Sequence, residues 1–515
     1  MISSIKNKQA VWFRFLSTLL ANIFKTSVIF VSGIIIARKL GPAGYGDMNF
    51  LLGSFIALST FVDMASSSAF YTFIAQEKRG LKFYYYYAAW IFIQFLILLC
   101  LVLFIPRFIK EKIWLGHSRY IILLAFLASF SMNQLWKFVE HVGESIRNTL
   151  GVQIRNVILS SFYLISVLFL AHLELITIKM IFILNIFIYF FVAAGYAWRL
   201  YGRHDFYAVK DEKLKDMLTE FKIYCSPLVV STLIGFLYSF ADYWLLQKFG
   251  GAIEQGYYAI GMKFTSIVLI VTTSMLAVFW KEIAEANARK NKERVYLLYR
   301  RISKGLYFVG AVLSCFIIPF SSEILSLLLG PAYSSAWLVL AIILLYPVHQ
   351  SLGQITGTML YATGQTKAYS RIAVFFMAIS IPVAYFLLAQ PTSLVPGLGL
   401  GAIGLAIKMV ICQLTGVNLM AFFVAKYLNR QFSWYFQISI LLLLLPLGFL
   451  SKFLSQCFLS FVSLSTHPLL VLFFSGIIYS AGVLVLFYIF PSLAGIDKTQ
   501  LSRGFIWIRN RFSLS

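Results

Sequence analysis

Long runs of apolar residues, separated by short polar stretches, follow one another along almost the whole chain. A helix needs about 20 such residues to cross the hydrocarbon layer of a membrane. Against that length the pattern predicts about fourteen transmembrane helices, spans 1 to 14, near residues 13–37, 48–74, 84–105, 118–139, 152–173, 176–198, 223–247, 256–280, 305–329, 335–362, 370–390, 399–425, 433–451 and 468–490. The pairs 152–198 and 433–490 have the least distinct boundaries, because weakly polar loops join them.

The composition agrees with this pattern. Of the 515 residues, 60% are hydrophobic and only 12% are charged, whereas a soluble chain carries about 25% charged residues. The apolar run after Arg14 is too long for a cleavable signal, and no small-residue cleavage site follows it. The five cysteines are isolated and form no CxxC pair, so neither a disulfide framework nor a zinc site is indicated. We therefore expect an all-α polytopic membrane protein without metal or cofactor.

The distribution of basic residues orients the chain. The net charge is +24, and 30 of the 43 Lys and Arg residues fall in alternate loops and at the termini, against 9 in the remaining loops. Basic residues accumulate on the cytoplasmic side, which predicts a cytoplasmic (inner) membrane location with both termini cytoplasmic. The most basic loops, 199–222 and 281–304, are expected to face anionic lipid; docking of a partner is the alternative. Nucleic acid is not expected as a partner, because the charges lie in short loops between apolar runs.

Two similar glycine-containing turns indicate an internal repeat. Span 1 ends in Arg38-Lys39-Leu40-Gly41-Pro42-Ala43-Gly44-Tyr45-Gly46; span 7 ends in Gln247-Lys248-Phe249-Gly250-Gly251-Ala252 and, after three extra residues, continues with Gly256-Tyr257-Tyr258. Six spans separate the copies, an even number, so both point the same way across the membrane. This predicts two parallel six-helix lobes related by an axis along the membrane normal, around a central cavity that works by alternating access.

The repeat also predicts how the chain is divided. The expected parts are an N-terminal six-helix lobe (1–198), a cytoplasmic linker (199–222), a C-terminal six-helix lobe (223–425), two additional transmembrane helices (426–490) and a basic cytoplasmic tail (491–515). A third glycine turn, at 329–333, closes span 9 on the same outer side.

Ionisable residues inside the spans are the candidates for function, because a charge in the hydrocarbon layer is costly unless it faces a bundle interior or a wet cavity. We predict that five ionisable residues and one polar neighbour, Asn22, line one polar cavity; the ionisable residues are Lys25, Asp63, Asp242, Lys263 and Lys408. A purely structural alternative is that Lys25 pairs with Asp63, and Asp242 with Lys263, to neutralise each other. No acidic residue shares the stripe of Lys408, which makes it the better functional candidate.

The coupling of transport to an energy source has three candidate residues. His349 and Gln350 follow Pro347 in span 10, which indicates a broken helix with freed carbonyls. His349 could carry a proton, although a hydrogen-bonded packing histidine is the simpler interpretation. Asp63 and Asp242 are the other candidates for H⁺ or Na⁺ coupling. No Walker loop, HExxH or GxSxG motif occurs, so ATP hydrolysis is not expected.

Four stretches resemble a known family. They are 35–46, the segment Phe61-Val62-Asp63-Met64-Ala65 continuing to Ile74-Ala75, the turn 329–333, and Leu360-Tyr361-Ala362-Thr363-Gly364-Gln365. In order and spacing they resemble the Wzx-type polysaccharide repeat-unit flippases of the multidrug/oligosaccharidyl-lipid/polysaccharide (MOP) superfamily. Met64 and Ala65 depart from the leucine or glycine usual in that pattern.

The resemblance implies a transporter rather than an enzyme. It would move an undecaprenyl-diphosphate-linked oligosaccharide from the inner to the outer leaflet, for surface polysaccharides such as O-antigen or lipopolysaccharide. Implied partners are this lipid-linked oligosaccharide, membrane lipids, and a polysaccharide polymerase with a chain-length regulator; the chain itself would be a monomer. A lipid II flippase and a multidrug exporter of the same superfamily are the alternatives. A membrane polymerase or glycosyltransferase is disfavoured, because the longest outer loop offers only Glu111 and His117 as acid or base.

Overall fold

The computed structural model describes residues 2–145, 148–201, 213–462 and 467–496. All regular structure in this part of the chain is helical, which confirms the predicted all-α class. Parts of the predicted linker 199–222 and of the tail 491–515 lie outside the described residues. Twelve of the described helices are long and apolar enough to cross a membrane. The chain is therefore a multi-pass membrane protein.

Two of these twelve helices are much longer than a membrane is thick, and each bends at a glycine. The helix Ile2–Asp63 is interrupted at Gly41, with φ 68° and ψ 174°. The helix Val229–Ala288 is interrupted at Gly251, with φ 78° and ψ −177°. Only glycine adopts such a positive φ without steric cost. Each bend separates two limbs, spans 1 and 2 in one case and 7 and 8 in the other. With both limbs counted, the fourteen predicted crossings are present.

The chain folds into two compact units, residues 1–259 with 377–402, and residues 260–376 with 403–515. The predicted lobe boundaries stay a prediction. Besides one limb of Val229–Ala288, the first unit contains the helices Ile2–Asp63, Ser66–Gln76, Leu81–Phe104, Arg107–Ile113, Arg119–Phe130, Trp136–Ser145, Thr149–His172, Ile178–Tyr201 and Leu214–Cys225. The second contains Lys292–Ile317, Ser321–Leu329, Trp337–Ile343, Leu345–Ala362, Tyr435–Phe461 and Pro468–Ile489, with most of Gly401–Tyr427. Thr366–Leu388 contributes to both units.

Aromatic side chains form much of the core of the first unit. The Phe70 ring stacks on Tyr87 at 4.0 Å and on Phe83 at 5.8 Å between centroids. All three side chains are almost fully buried. Such stacked pairs stabilise a fold beyond the burial of their area. They fix the short helix Ser66–Gln76 against Leu81–Phe104, and so hold the inner end of span 2 in place.

The second unit is organised around the helix Lys292–Ile317. Its buried face, which includes Tyr307, packs with the helices Leu345–Ala362 and Tyr435–Phe461 in one hydrophobic core. Span 10 is broken as predicted: one helix ends at Ile343 and the next begins at Leu345. Pro347 explains the break, because its ring clashes with the carbonyl four residues earlier, that of Ile343.

The two additional C-terminal helices are attached to the second unit through polar contacts. The side-chain amides of Asn418 and Gln437 bond each other in both directions, at 3.2 and 2.7 Å. Lys452 forms an ion pair with Glu323 and donates to the Pro319 carbonyl at 2.7 Å. Span 13 extends to Phe461, ten residues beyond its predicted end.

Candidate functional site

Asp63 lies at a break in span 2. The long helix ends at this residue, and the next two residues, Met64 and Ala65, adopt left-handed conformations with φ 47° and 64°. A left-handed backbone is costly for residues with a side chain. It persists here because a new helix, Ser66–Gln76, begins immediately afterwards. The segment that resembles the flippase pattern is therefore a break inside a membrane helix.

The Asp63 carboxylate caps that new helix. It accepts hydrogen bonds from Ser66 Oγ at 2.8 Å, from Ser67 N at 3.1 Å and from Ser67 Oγ at 2.8 Å. Trp90 Nε1 in turn donates to Ser66 Oγ at 2.9 Å. A carboxylate at a helix N-terminus is stabilised by the free N–H groups and by the helix dipole. The alternative that Asp63 pairs with Lys25 stays a prediction.

A group of charged residues that sequence reasoning missed lies at the C-terminal end of span 4, which the predicted orientation places on the inner side. Glu140 and Glu144 are one turn apart in the helix Trp136–Ser145, and Asn156 Nδ2 donates to Glu140 Oε1 at 2.8 Å. Glu144 interacts electrostatically with Lys25 and with Glu140. The helix Trp136–Ser145 follows a π-helical turn, Ser131–Leu135, a feature often found at functional sites.

His141 belongs to the same group. Its ring lies 4.8 Å from the ring of Tyr71, between centroids, and it interacts electrostatically with Asp63 and Glu140. We call Lys25, Asp63, Glu140, His141 and Glu144 the inner charged cluster. The sequence signal was present, since two glutamates four residues apart flank a histidine. It was overlooked because the predicted span ended at 139, whereas the apolar helix continues to Ser145.

The C-terminal ends of spans 1 and 7, which the predicted orientation places on the outer side, meet in the first unit. A Cβ atom built on Gly46 would lie 1.8 Å from the Ala252 carbonyl oxygen, and one built on Gly256 would lie 2.1 Å from the Pro42 carbonyl oxygen. Glycine is required at both positions, because no real Cβ atom approaches a backbone oxygen so closely. The contact is reciprocal, so Gly41 and Gly251 are equivalent positions in the two copies of the repeat, and so are Gly46 and Gly256. The two copies of the turn therefore align without an insertion. The prediction that the second copy contains three extra residues is wrong.

Asp47 and His117 add a polar contact beside these turns. Gln247 Nε2 donates to Asp47 Oδ1 at 2.8 Å, and His117 Nε2 lies 3.3 Å from the same oxygen. Burial alone would lower the pKa of His117, but the hydrogen bonds that its ring donates to Asp47 and to the Trp114 carbonyl, together with the Asp47 charge, raise the pKa on balance. We call Asp47, His117 and Gln247 the outer latch. Neither Asp47 nor His117 was a sequence candidate for the cavity.

The other predicted cavity residues lie at different depths along their own helices. Asp242 precedes the bend at Gly251 by roughly 14 Å of helix, and Lys263 follows it by roughly 18 Å. Lys25 precedes the bend at Gly41 by roughly 24 Å. Asp242 is buried, whereas Lys25, Asn22 and Lys263 are half-buried. The chamber predicted to contain all of them stays a prediction, as does the pairing of Asp242 with Lys263.

Lys408 is the most enclosed of the candidates. Its side chain is 0% exposed, in the middle of the apolar helix Gly401–Tyr427. It makes a contact within the protein and is not free, as is also true of Asp242. Burying an ammonium group so completely costs several kcal/mol unless neighbours compensate for it. A helix retains such a residue only at a cost, which is why Lys408 remains a functional candidate.

His349 lies in a row of polar side chains in the second unit. It is 5% exposed, and its Nδ1 atom lies 3.5 Å from the Tyr307 hydroxyl oxygen. The amide of the next residue, Gln350, is hydrogen bonded to that of Gln413, and about one turn further on Thr272 Oγ1 donates to Gln354 Oε1 at 3.2 Å. These contacts fit a packing role for His349; a role in coupling stays a prediction. In the described residues, no three His, Cys, Asp or Glu side chains converge closely enough to hold a metal ion.

Comparison with known proteins agrees with this architecture. Residues 227–386 match the MatE family. No curated protein sequence matches the chain significantly. Among solved structures, the lipid II flippase MurJ in an inward closed conformation is similar at a TM-score of 0.66 and 15% identity, over 91% of this chain and 98% of MurJ.

Two transporters are similar over a shorter part of the chain. An inward-facing multidrug resistance MATE family transporter of the MOP superfamily has a TM-score of 0.56 and 16% identity, over 79% of this chain and 94% of its own. A MOP superfamily transporter from Pyrococcus furiosus, whose binding pocket has reversed polarity, has a TM-score of 0.52 and 15% identity, over 81% and 95%. The chain thus has the fold of the MOP superfamily transporters and flippases. That fold is shared with exporters and lipid flippases alike, and so does not name the substrate.

Proposed function

We propose that this protein is a flippase that carries undecaprenyl-diphosphate-linked oligosaccharide units from the cytoplasmic to the outer leaflet of the inner membrane, by alternating access. The observation that carries the proposal is Lys408, a cation with no exposed surface inside an apolar helix of a transporter fold. A cation at that depth lowers the cost of bringing a diphosphate through the membrane. Cationic drugs would instead be repelled.

The extent of the structural likeness supports a lipid substrate. The likeness to MurJ covers 91% of the chain, whereas the likeness to the MATE transporter covers 79%. The two additional C-terminal helices, Tyr435–Phe461 and Pro468–Ile489, account for a difference of this size. A long polyprenyl tail must stay in the lipid while the headgroup to which it is attached crosses the membrane. Additional membrane-facing helices therefore suit a lipid-linked substrate better than they suit a small soluble drug.

The inner charged cluster suits coupling to protons. Glu140, Glu144 and Asp63 are carboxylates, and Lys25 and His141 can offset their charge differently as protons bind. Coupling through these groups adds Glu140, His141 and Glu144 to Asp63, Asp242 and His349 as candidates. The proposed orientation, with both termini in the cytoplasm, places this cluster at the cytoplasmic end of spans 1, 2 and 4.

Replacement of the buried lysines tests the function. We expect Lys408→Met and Lys25→Met to lower surface polysaccharide at least about tenfold, in line with the several kcal/mol at stake, and Lys408→Arg to retain part of the export. Lys426→Met is the matched control, since Lys426 lies near the exposed end of the same helix. Membrane levels of each variant are measured by immunoblot. Normal polysaccharide in both Met variants would overturn the role of these cations.

A lipid II flippase is the second candidate, and the likeness to MurJ favours it. Lipid II and polysaccharide units share the undecaprenyl diphosphate and differ in the sugars. Rescue of a strain depleted of its lipid II flippase would assign the protein to cell-wall synthesis. Rescue only of a strain lacking its polysaccharide flippase would support the first candidate, and resistance to cationic drugs would contradict both. A polysaccharide polymerase, a chain-length regulator and a monomeric state remain the expected context.

A further inference from the structure

Two cavities lie one above the other in the second unit, and they share the lining residues Phe432 and Gln437. Their volumes are about 270 Å³ and 440 Å³. Both border the same three helices, Lys292–Ile317, Gly401–Tyr427 and Tyr435–Phe461. Volumes of this size are typical of sites that hold small molecules.

The smaller cavity is basic and polar. Arg300 and Lys304 lie one turn apart on its wall, and the buried hydroxyl of Ser303 lies between them. Its polar lining also includes Tyr296, Tyr299, Gln431, Ser433 and Gln437. Within the described residues Arg300 forms no ion pair, and the nearby acidic residue Glu293 is already paired with Arg430. The net charge of this cavity is therefore positive.

The larger cavity is almost entirely apolar. Its walls include Leu414, Ile438, Leu441 and Tyr307, and the side chains of His349, Thr415, Asn418 and Gln437 also border it. Ile438 is 44% exposed, so this cavity opens on the apolar outside of the helices rather than on a closed interior. A hydrocarbon chain is the natural occupant of a groove with such a lining.

The two cavities follow the helix axes in the same order. On Lys292–Ile317 the basic cavity uses positions 296 to 304 and the apolar one position 307; on Tyr435–Phe461 the order is Phe436, then Ile438 and Leu441. The antiparallel helix Gly401–Tyr427 shows the reverse, with Ala425 in the basic cavity and Leu414 in the apolar one. The basic compartment thus lies at the ends of all three helices, and the apolar compartment lies one to two turns deeper.

We propose that these two compartments form one binding site for an anionic phospholipid of the cytoplasmic leaflet. The phosphate and its anionic headgroup would bind Arg300 and Lys304, and one acyl chain would lie against Leu414, Ile438 and Leu441. The loops at this end are those that the charge pattern assigns to the cytoplasm. The exposed Trp434 and Tyr435 beside the site are of the kind that mark a membrane interface.

The occupant is a resident lipid and not the transported one. The apolar compartment has room for a single short chain beside Tyr307, whereas an undecaprenyl tail is several times bulkier. The site involves none of the residues Lys25, Asp63, Lys263 and Lys408, and of the coupling candidates only His349 borders its apolar compartment. Its role would be to fix the two C-terminal helices against the second unit, since Gln437, which bonds Asn418, lines both compartments.

Native mass spectrometry of the full-length protein in detergent tests the site. The protein is titrated with phosphatidylglycerol and, separately, with phosphatidylcholine of the same acyl chains. We expect tighter binding of phosphatidylglycerol, weakened about fivefold by either Arg300→Gln or Lys304→Gln and by more than about tenfold in the double variant. Arg301→Gln is the matched control: it removes the same charge one residue away, outside the lining.

A second pair of variants tests the chain compartment. Leu441→Trp fills it and should weaken binding of both lipids at least threefold, whereas Leu442→Trp, on the neighbouring exposed surface, should not. Unchanged phosphatidylglycerol binding in the double variant, or an equal loss in Arg301→Gln, would overturn the proposal, the latter because it would indicate surface charge alone. Displacement of phosphatidylglycerol by an undecaprenyl phosphate at equal concentration would also overturn it, in favour of a substrate entry site.

Discussion

An aspartate inside an apolar span needs donors for its oxygens, and Asp63 has them within its own turn. Ser66 and Ser67 together donate three hydrogen bonds to it. Lys25, the cation that the sequence suggested as its partner, interacts electrostatically with Glu144. Residue type alone could identify Asp63 and Lys25 as unusual inside apolar spans. It could not show whether Asp63 would be stabilised by an opposite charge or by the start of a helix.

Removal of the Asp63 carboxylate should destabilise the inner end of span 2. We expect Asp63→Ala to cost about 1 kcal/mol of local stability, as loss of a helix cap does, and Asp63→Asn to cost less because the amide oxygen can still accept. Hydrogen–deuterium exchange of residues 66–76 measures this as exchange about fivefold faster in Asp63→Ala. Ser68→Ala, an exposed neighbour outside the cap, should leave exchange unchanged; equal protection in Asp63→Ala would contradict the capping role.

The elements of this fold depend on a few glycines and on the break beside Asp63. Gly41 and Gly251 share nearly the same backbone angles, and Gly330, which ends the helix Ser321–Leu329, has them as well with φ 87° and ψ 179°. The sequence predicted all three turns, because glycine among apolar residues is a strong local signal. It could not predict that two of the turns touch, since that contact joins residues some 210 positions apart.

The glycine contact makes a prediction for the two turns. Gly46→Ala and Gly256→Ala should each lower the thermal midpoint of the purified protein by several degrees, because the new Cβ atom would lie about 2 Å from a carbonyl oxygen and force the turns apart. Gly235→Ala is the control, on the same long helix and with open space around its Cβ; it should be neutral or slightly stabilising. A midpoint unchanged by Gly46→Ala would contradict the close packing.

The outer latch predicts a dependence on pH. The raised pKa of His117 means that its charged form is stabilised by Asp47 in the folded protein. This contribution is complete below the ordinary histidine pKa of about 6.5 and is lost as the pH rises through the raised value. The thermal midpoint of the protein should therefore fall as the pH rises above about 6.5. His117→Gln should remove that part of the fall.

A comparison of histidine variants isolates the effect. His467→Gln changes a histidine at the start of the last helix, outside the latch, and should keep the pH dependence of the unmodified protein. Asp47→Asn should flatten it as His117→Gln does. A pH profile unchanged by both latch variants would show that the contact between His117 and Asp47 contributes nothing measurable.

At the scale of the whole molecule, hydropathy and charge specify the number of crossings, but long-range pairs decide how helices assemble. The ion pair of Glu323 with Lys452 joins residues 129 positions apart, and the sequence predicted Lys452 only as a loop residue. The inner charged cluster was missed for a related reason. Glu140 and Glu144 lie where the span was thought to end, and only packing shows that they remain within the helix.

The attachment of the C-terminal helices can be measured as a coupling energy. Glu323→Gln should destabilise the protein, because the half-buried Lys452 ammonium would lose its counter-charge and keep the Pro319 carbonyl and the Phe320 ring as partners. In a double-mutant cycle with Lys452→Gln we expect a coupling of about 1–2 kcal/mol. The exposed pair of Arg107 with Glu111 serves as the control and should give less than about 0.5 kcal/mol. Equal couplings would contradict an anchoring role for Lys452.

The close contact between the turns at Gly46 and Gly256 limits which substitutions these two positions can accept during evolution. Each turn packs against the backbone of the other, so replacing either glycine by a larger residue requires the opposite backbone to shift. Elsewhere the two halves are free to diverge, helix by helix. This constraint accounts for the outer turns being the place where the two halves of the sequence can still be read as copies.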